Sequence, residues 1–252
     1  MLFNIKLADR IIEIKSLYSQ VYTICKDYIV PIGEKIMPSA TIEINNDDLT
    51  KESLIATQAN EKLERGQYSF YNPGDLEVLA VQRKICEIMP VYSTFLMHGS
   101  AIATNGKAYL ITAPSGIGKT TRTRLWMEAY PDSIVINGDK PLIRLVDDKV
   151  YVCGTPWCGK EGWNTNLIVP LDAILLLERA NDDEMSTINE LNLLDVFDEI
   201  LKQVYIPENK KSLIRTLSLL KSLNGKLRFY RFRSAPTIES VCMAFEAVTE
   251  KK

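Results

Sequence analysis

The chain has 252 residues, of which 46% are hydrophobic and 25% are charged, and its formal net charge at pH 7 is −2. This composition is typical of a soluble globular protein with one large domain, or with one core and an appendage. Acidic and basic residues are interspersed, which excludes a global electrostatic attraction to nucleic acid. The lack of about 18 consecutive apolar residues predicts that no segment spans a membrane.

The N-terminal sequence lacks the long apolar centre of a signal peptide, so we expect a cytoplasmic protein. The five cysteines are scattered and odd in number, which predicts no disulfide framework. Cys153 and Cys158 have no second pair of cysteines to complete a metal site, and His98 is the single histidine. A structural zinc site is therefore not expected.

Residues 1–72 predict a small α+β region. Its expected elements are two strands that pair antiparallel, a short helix, a third strand and a second helix, at residues 2–7, 10–15, 17–28, 40–44 and 53–63. Asp48 or Thr50 is the expected N-cap of the second helix. Nothing in this region has a pattern typical of a catalytic site.

Residues 73–252 predict strands that alternate with helices. The expected helices cover residues 75–89, 121–130, 190–223 with a break near Pro207, and 238–248. The expected strands cover residues 108–112, 133–136, 142–146, 149–153, 173–177 and 227–232, the third and fourth forming a hairpin. This order of elements is typical of an α/β domain.

The segment Ala-Pro-Ser-Gly-Ile-Gly-Lys-Thr, at residues 113–120, lies between a predicted strand and a predicted helix, which is the context of a P-loop. Its glycines let backbone N–H groups point at phosphate oxygens, and the helix dipole favours an anion there. Ala113 replaces the first glycine, so that position must need no left-handed backbone. The residues expected to bind nucleotide are Ser115, Gly116, Ile117, Gly118, Lys119, Thr120 and Thr121. The alternative is a strand–helix turn that binds nothing.

Lys119 is expected to reach the β- and γ-phosphates, and the Thr120 hydroxyl is expected to ligate Mg²⁺. Asp139 follows the predicted strand at residues 133–136, where a P-loop protein places a carboxylate for metal or base chemistry. The alternative for Asp139 is a turn-forming role in Asn-Gly-Asp. Arg122 and Arg124, on the helix after the loop, are expected to face solvent.

Residues 154–166 form a loop with three glycines and two tryptophans, a length and composition typical of a functional loop. Lys160 within it is a candidate cationic group for the transferred phosphoryl group, or else a solvated lysine. Trp157 and Trp163 either stack on a ligand or anchor the loop to the core, and we expect the packing role.

His98-Gly99, an apolar strand, Ser115-Gly116-x-Gly118-Lys119-Thr120 and then Asp139 together resemble the catalytic domain of HPr kinase/phosphorylase, within the phosphoenolpyruvate carboxykinase-like superfamily of P-loop folds. The resemblance covers about residues 95–180. It implies that the P-loop holds ATP and that His98 and Asp139 match the family's histidine and first aspartate. His98 taken alone would be read as a core histidine.

The family has two adjacent aspartates where this chain has Asp139-Lys140, so one carboxylate serves as both base and metal ligand, or Lys140 has a new role. The family's C-terminal region for the protein HPr is not recognisable. The chain therefore resembles a stand-alone kinase-like relative with an unknown acceptor.

We expect an α/β fold in which a mixed, curved sheet carries the P-loop and is flanked by helices, with a small α+β N-terminal region. The expected function is phosphoryl transfer from ATP, or another nucleoside triphosphate, to a hydroxyl of a protein or peptide serine or of a small metabolite. Thr120 and Asp139 would hold Mg²⁺, and Asp139 or His98 would take the acceptor's proton.

Two other functions stay open. A nucleotide-binding regulatory module without turnover fits the missing second aspartate. A carboxykinase-like metabolic enzyme is disfavoured because such sites ligate metal through His and Lys residues, and this chain has one histidine. The sequence leaves the oligomeric state open, a homo-oligomer included.

Overall fold

The computed structural model of the protein describes residues 1–30, 37–61, 71–180 and 185–250. The chain divides into two compact units, Met1–Ile88 and Met89–Lys252. The boundary between the two units in the sequence thus lies between residues 88 and 89. The domain boundary expected from the sequence lies between residues 72 and 73 and stays a prediction. The last residues of the predicted helix at 53–63 lie outside the described ranges.

The first unit is a small α+β structure. Its strands and helices are β1 (Leu2–Leu7), β2 (Arg10–Lys15), α1 (Ser19–Ile24), β3 (Ala40–Glu43), α2 (Asn46–Asn60) and α3 (Pro73–Ile88). The predicted antiparallel pairing of β1 with β2 is confirmed, and β3 joins β2 in parallel. Alternation along the first two strands buries Ile5, Leu7, Ile12 and Ile14 completely, which is the pattern of a sheet with one face on the core.

The N-cap of α2 differs from the prediction. The Asn45 side chain accepts hydrogen bonds from the backbone N–H groups of Asp47 and Asp48, at 3.0 and 3.1 Å. The Asp48 carboxylate in turn accepts from the Asn45 N–H at 3.0 Å. Asn45 is thus the cap and Asp48 its reciprocal partner, as in a capping box, while Thr50 bonds to the Asn46 carbonyl inside the helix.

The second unit is a mixed α/β structure built on a curved sheet. Its strands are β4 (Thr94–Leu96), β5 (Ser100–Thr104), β6 (Lys107–Thr112), β7 (Ile134–Asn137), β8 (Leu142–Val146), β9 (Lys149–Cys153), β10 (Ile168–Arg179), β11 (Thr187–Leu191) and β12 (Arg228–Ser234). Its helices are α4 (Lys119–Ala129), α5 (Phe197–Leu201), α6 (Lys210–Lys221) and α7 (Ile238–Thr249). Over the described residues the strand order is β4-β8-β9-β10-β6-β5-β7, and β12 pairs with both β10 and β11.

The elements β6, α4, β7, β12, α7 and the β8–β9 hairpin confirm the sequence predictions to within a few residues. Three strands, β4, β5 and β11, were not predicted. The prediction of helix across residues 190–223 is wrong at its start, because β11 extends to Leu191 as an antiparallel partner of β12. Within that range α-helix is confined to α5 and α6.

Two apolar layers cover the two faces of the sheet. Along β6, Tyr109 and Ile111 point into a layer shared with Trp126 of α4 and with α7, whereas Ala108 and Leu110 point into the layer formed by α5, α6 and the β8–β9 hairpin. A central strand buried on both faces by this alternation has a fixed register, because a slip by one residue would exchange the two faces. In the described part of the chain, no helix combines the length and the hydropathy needed to cross a membrane.

Candidate phosphate-binding site

The chain directions bring five strand ends to one edge of the sheet. β10 runs parallel to β6 and to β12, so Thr112, Arg179 and Ser234 stand at the same edge. β5 is antiparallel to both β6 and β7, so it begins where they end. The residues before β5, the loop after β6 and the turn after β7 therefore converge.

The loop at residues 113–118 has the backbone that its glycines permit. Gly116 and Gly118 adopt φ values of 82° and 109°, in the left-handed region, and Gly118 is the N-cap of α4. Ala113 is absent from the positive-φ residues, which confirms that this position needs no left-handed conformation. A residue with a Cβ would be strained at either glycine. The predicted order of strand, glycine loop and helix is present.

Lys119 lies inside the loop that precedes it. Its side chain is 8% exposed, and its ammonium donates to the carbonyl oxygens of Ala113 and Pro114 at 2.8 and 3.2 Å. Burial lowers the pKa of Lys119, and the charge of Asp139 opposes that shift. The ammonium is therefore held at the loop and faces a carboxylate across the site.

The other predicted loop residues differ in exposure. Ser115, Gly116 and Thr121 are exposed, while Gly118 and Thr120 are half-buried. Ile117 is half-buried and packs against the apolar layer of Trp126. The role of Thr120 as a metal ligand stays a prediction.

His98 and Asp139 form a pair at the same edge. His98 Nε2 lies 3.3 Å from Asp139 Oδ1, and both side chains are 29% exposed. The pair is fixed from the backbone, because the Gly99 N–H donates to the Asp139 carbonyl at 2.8 Å and the His98 N–H donates to the Gln203 carbonyl at 2.7 Å. The other ring nitrogen, Nδ1, lies 3.1 Å from Gln203 Oε1.

The hydrogen bond with His98 is the largest influence that lowers the pKa of Asp139. The positive charges of Lys140, His98 and Lys119 lower it further, against burial, which raises it. Asp139 is therefore held as a carboxylate. It borders the loop at residues 154–166, because a Cβ added to Gly159 would lie 3.2 Å from the Asp139 Cβ.

Asn137 positions Asp139 and was not singled out from the sequence. It is fully buried, and its Oδ1 accepts from the N–H groups of Asp139 and Lys140 at 2.9 and 2.6 Å. Its Nδ2 donates to the carbonyls of Thr155 and Trp157 at 2.9 and 3.3 Å. Asn137 thus makes the turn, which leaves the Asp139 side chain free for His98. An Asn that ends a buried strand just before Gly-Asp was the available signal.

The glycine–tryptophan loop, residues 154–166, is anchored on both sides. The Thr165 N–H donates to the Ile136 carbonyl at 3.0 Å, and the Gly138 N–H donates to the Trp163 carbonyl at 2.8 Å. Trp157 is 8% exposed, in keeping with a packing role. Lys160 is exposed and makes no hydrogen bond or ion pair with the described residues. Its proposed action on a phosphoryl group stays a prediction.

Two arginines contact the glycine loop from behind, and neither was predicted to do so. Arg122 is 2% exposed rather than solvent-facing, and it donates to Ser234 at the end of β12. Arg179, the last residue of β10, donates to the Gly116 carbonyl at 3.1 Å. Arg124 does face solvent, where it pairs with Glu161 and stacks on Trp163. The distance in sequence between Arg122 and Ser234 hides this arrangement from sequence reasoning.

The side chains at this edge fit a polyphosphate with Mg²⁺. Left-handed glycines and a helix N-terminus suit an anion, and a hydroxyl and a carboxylate are the hard oxygen ligands that Mg²⁺ takes alongside phosphates and water. Within the described ranges no cluster of three or more His, Cys, Asp or Glu side chains could hold a metal by itself. A metal at Thr120 and Asp139 would therefore complete its coordination with ligand oxygens and water.

No family model matches the sequence, and no curated protein matches it. Among solved structures, the chain is similar to the Hpr(Ser) kinase/phosphatase from Coxiella burnetii, with 10% sequence identity, a TM-score of 0.31 and coverage of 61% of this chain and 92% of that chain. At this identity and TM-score the likeness carries no argument about function, and the site's own geometry has to support any assignment.

Proposed function

We propose that the protein transfers a phosphoryl group from ATP, with Mg²⁺, to a hydroxyl of an acceptor. One observation carries the proposal: the Lys119 ammonium in its glycine loop and the Asp139–His98 pair lie at the same sheet edge and influence each other electrostatically. A cation for the phosphates and a carboxylate for the nucleophile are the two protein contributions that this reaction needs.

Backbone N–H groups of the loop and the N-terminus of α4 bind the phosphate oxygens. The Lys119 ammonium leaves its loop carbonyls and offsets negative charge on the β- and γ-phosphates. Thr120 Oγ1 and the Asp139 carboxylate would hold Mg²⁺, which when bound supplies further neutralisation of that charge.

We also assign to Asp139 the role of receiving the acceptor's proton. As the acceptor oxygen bonds to the γ-phosphorus, the bond from that phosphorus to the β–γ bridging oxygen breaks and ADP leaves. The acceptor's proton passes to the Asp139 carboxylate, which His98 Nε2, 3.3 Å from Asp139 Oδ1, holds in place. Because the pKa of Asp139 is lowered, the group is a carboxylate at neutral pH and its oxygens carry no proton before the reaction. The acceptor is a serine of a protein or peptide, or a small metabolite.

Calorimetry and a product assay on the wild-type protein test the proposal. We expect Mg·ATP to bind, and γ-³²P-labelled ATP to transfer label to an acceptor hydroxyl, or to water in a slow background reaction. Binding without ADP release under any acceptor mixture would favour the regulatory module instead. Absence of ATP binding would remove both functions.

A further inference from the structure

Arg122 is a buried cation without a carboxylate partner among the described residues. Its Nε donates to Ser234 Oγ at 3.3 Å and its Nη2 donates to the Ser234 carbonyl, and both acceptors are neutral. The side chain is 2% exposed. A buried charge costs folding free energy unless an opposite charge compensates it, so buried arginines are ordinarily paired.

The third nitrogen of this guanidinium is directed at the glycine loop. A Cβ built on Gly118 would lie 2.5 Å from Arg122 Nη1, so the guanidinium fills the space beneath that glycine. Two features therefore require a glycine at position 118. Its φ of 109° is left-handed, and Arg122 occupies the space that a Cβ would need.

A second arginine increases the excess of positive charge. Arg179 donates to the Gly116 carbonyl at 3.1 Å, and burial together with the charge of Arg179 lowers the pKa of Arg122. With Lys119, which donates to Ala113 and Pro114, three cations from two elements, α4 and β10, contact the loop. Asp139 is the carboxylate that interacts with Lys119. The cationic excess lies at the same loop whose backbone suits an anion.

We propose that Arg122 is an electrostatic positioning residue for a polyphosphate chain, which it stabilises from behind Gly118 without direct contact. The inference rests on the proposed function, because it takes the polyphosphate of a nucleotide as the natural ligand. The binding step itself requires no transfer chemistry. Bound polyphosphate supplies the negative charge that Arg122 otherwise lacks, so the charge that costs folding free energy in the free protein favours the complex.

The test measures inorganic tripolyphosphate binding by calorimetry, without divalent metal, for four chains: wild type, Arg122→Met, Arg122→Lys and Arg124→Met. We expect Arg122→Met to weaken binding by about tenfold or more, as a charge several ångström away in a protein interior would. Arg122→Lys places an ammonium at this position and should recover most of the affinity that Arg122→Met loses. Arg124→Met removes an equal charge from the exposed face of the same helix and should retain affinity within about threefold, because solvent and salt screen it.

The melting temperatures of the ligand-free chains distinguish this binding role from a structural role, in which the hydrogen bonds from Arg122 to Ser234 would mainly stabilise the fold. We expect Arg122→Met to melt at or above the wild-type temperature, since the substitution removes an uncompensated buried charge. If Arg122→Met fails to fold, Arg122→Gln, which keeps a donor for the Ser234 carbonyl and lacks the charge, takes its place in the binding measurement.

Several outcomes would overturn the inference: wild-type affinity in Arg122→Met or Arg122→Gln, an equal loss in Arg124→Met, no rescue by lysine, or no tripolyphosphate binding by the wild type. Failure of the proposed function gives a different pattern. In that case tripolyphosphate binding would still depend on Arg122 while ATP gives no transfer of label.

Discussion

Arg83 in the first unit and Arg122 in the second are both largely buried, yet their surroundings are opposite. Arg83 pairs with the carboxylates of Glu52 and Asp48, and Lys84 pairs with the same Asp48 at 2.6 Å. Within the described ranges, Arg122 bonds only to neutral atoms of Ser234. The paired cluster ties α2 to α3 and is complete without a ligand. By our proposal, a bound anion compensates the excess of positive charge at the glycine loop.

We therefore expect charge at the loop to serve binding and charge in the first unit to serve stability. Substitutions at the loop should therefore change affinity or turnover with little effect on melting, and substitutions in the first unit should do the reverse.

Lys119→Ala should lower kcat/KM by about a thousandfold, through loss of a charge-assisted contact in a desolvated site. The melting temperature should hardly change, because the loss of two hydrogen bonds to loop carbonyls is offset by the removal of a charge that burial disfavours. Calorimetry with Mg·ATP and a coupled assay measure the effect, and Lys211→Ala on the exposed face of α6 is the control. Unchanged nucleotide affinity and activity would contradict the P-loop assignment.

Asp139→Asn should lower turnover by about 10²–10³-fold, the usual contribution of a positioned general base. ATP affinity should change only a few-fold, because a proton acceptor acts mainly in the transition state. Asn137 makes the turn, so the variant should fold normally. Steady-state kinetics across Mg²⁺ concentrations separate the two parameters. A variant with wild-type turnover would place the base elsewhere.

Arg83→Met should destabilise the protein by about 3 kcal/mol, because it leaves the buried Glu52 carboxylate without its partner. Urea denaturation measures the free energy of unfolding, and the ATP affinity of the folded fraction should stay unchanged. Lys15→Met, which breaks the exposed pair with Glu43, is the control and should cost less than about 1 kcal/mol. Equal losses in the two variants would show that burial of the pair is unimportant.

Asp48 should make the first unit sensitive to acid. Burial alone would raise the pKa of Asp48, but hydrogen bonds from Lys84 and the Asn45 N–H and the charges of Lys84 and Arg83 lower it. A carboxyl with a lower pKa in the folded state stabilises the protein above its unfolded pKa of about 3.9. That stability is lost as the pH falls through the folded pKa.

Asp48→Asn keeps an oxygen acceptor for the Asn45 N–H and removes the titration. The variant should therefore lose less stability than the wild type between about pH 5 and pH 2. Urea denaturation at a series of pH values measures the slope. Parallel curves for the two proteins would exclude Asp48 as a source of the acid sensitivity.

Part of this division could be predicted from the sequence. The glycine loop is a pattern of neighbouring residues. Residues 108–130 were therefore enough to predict the strand before the loop, the helix after it and the absence of a left-handed backbone at Ala113. β5 was missed because Ser-Ala-Ile-Ala-Thr is buried throughout and shows no alternation. β11, a strand with mixed polarity, was not predicted, and its last two residues were included in the helix expected at residues 190–223.

The parts of the site that the sequence did not reveal depend on contacts between distant residues. Arg122 is buried because Ser234 stands at the end of a neighbouring strand, and Asn137 acts through Thr155 and Trp157. Intrinsic preferences of an arginine on a helix or an asparagine in a turn carry no information about such partners. Where tertiary contacts set the role of a charged residue, only the fold reveals it.

The smallest effect concerns the glycine–tryptophan loop and Lys160. Hydrogen bonds fix the loop at Gly154 and Thr165, and Trp157 is buried, so any closure is confined to residues 159–162, where Gly159 and Gly162 have φ values of 76° and 69°. Closure of this tip over the phosphates would exclude water from the site. Trp163, half-buried beneath Arg124, is the indole adjacent to the tip.

We therefore expect a small shift in tryptophan fluorescence when a non-hydrolysable ATP analogue is added with Mg²⁺, and a smaller shift in Lys160→Ala. Turnover of Lys160→Ala should fall several-fold at most, because its ammonium is exposed and screened. Trp163→Phe assigns the signal, since the shift should disappear with that indole while Trp126 and Trp157 remain. The loop would be a rigid border of the site if the fluorescence spectrum did not change on addition of nucleotide and Lys160→Ala kept full activity. The hydrogen bonds that anchor the loop to β7 would then hold it in one conformation.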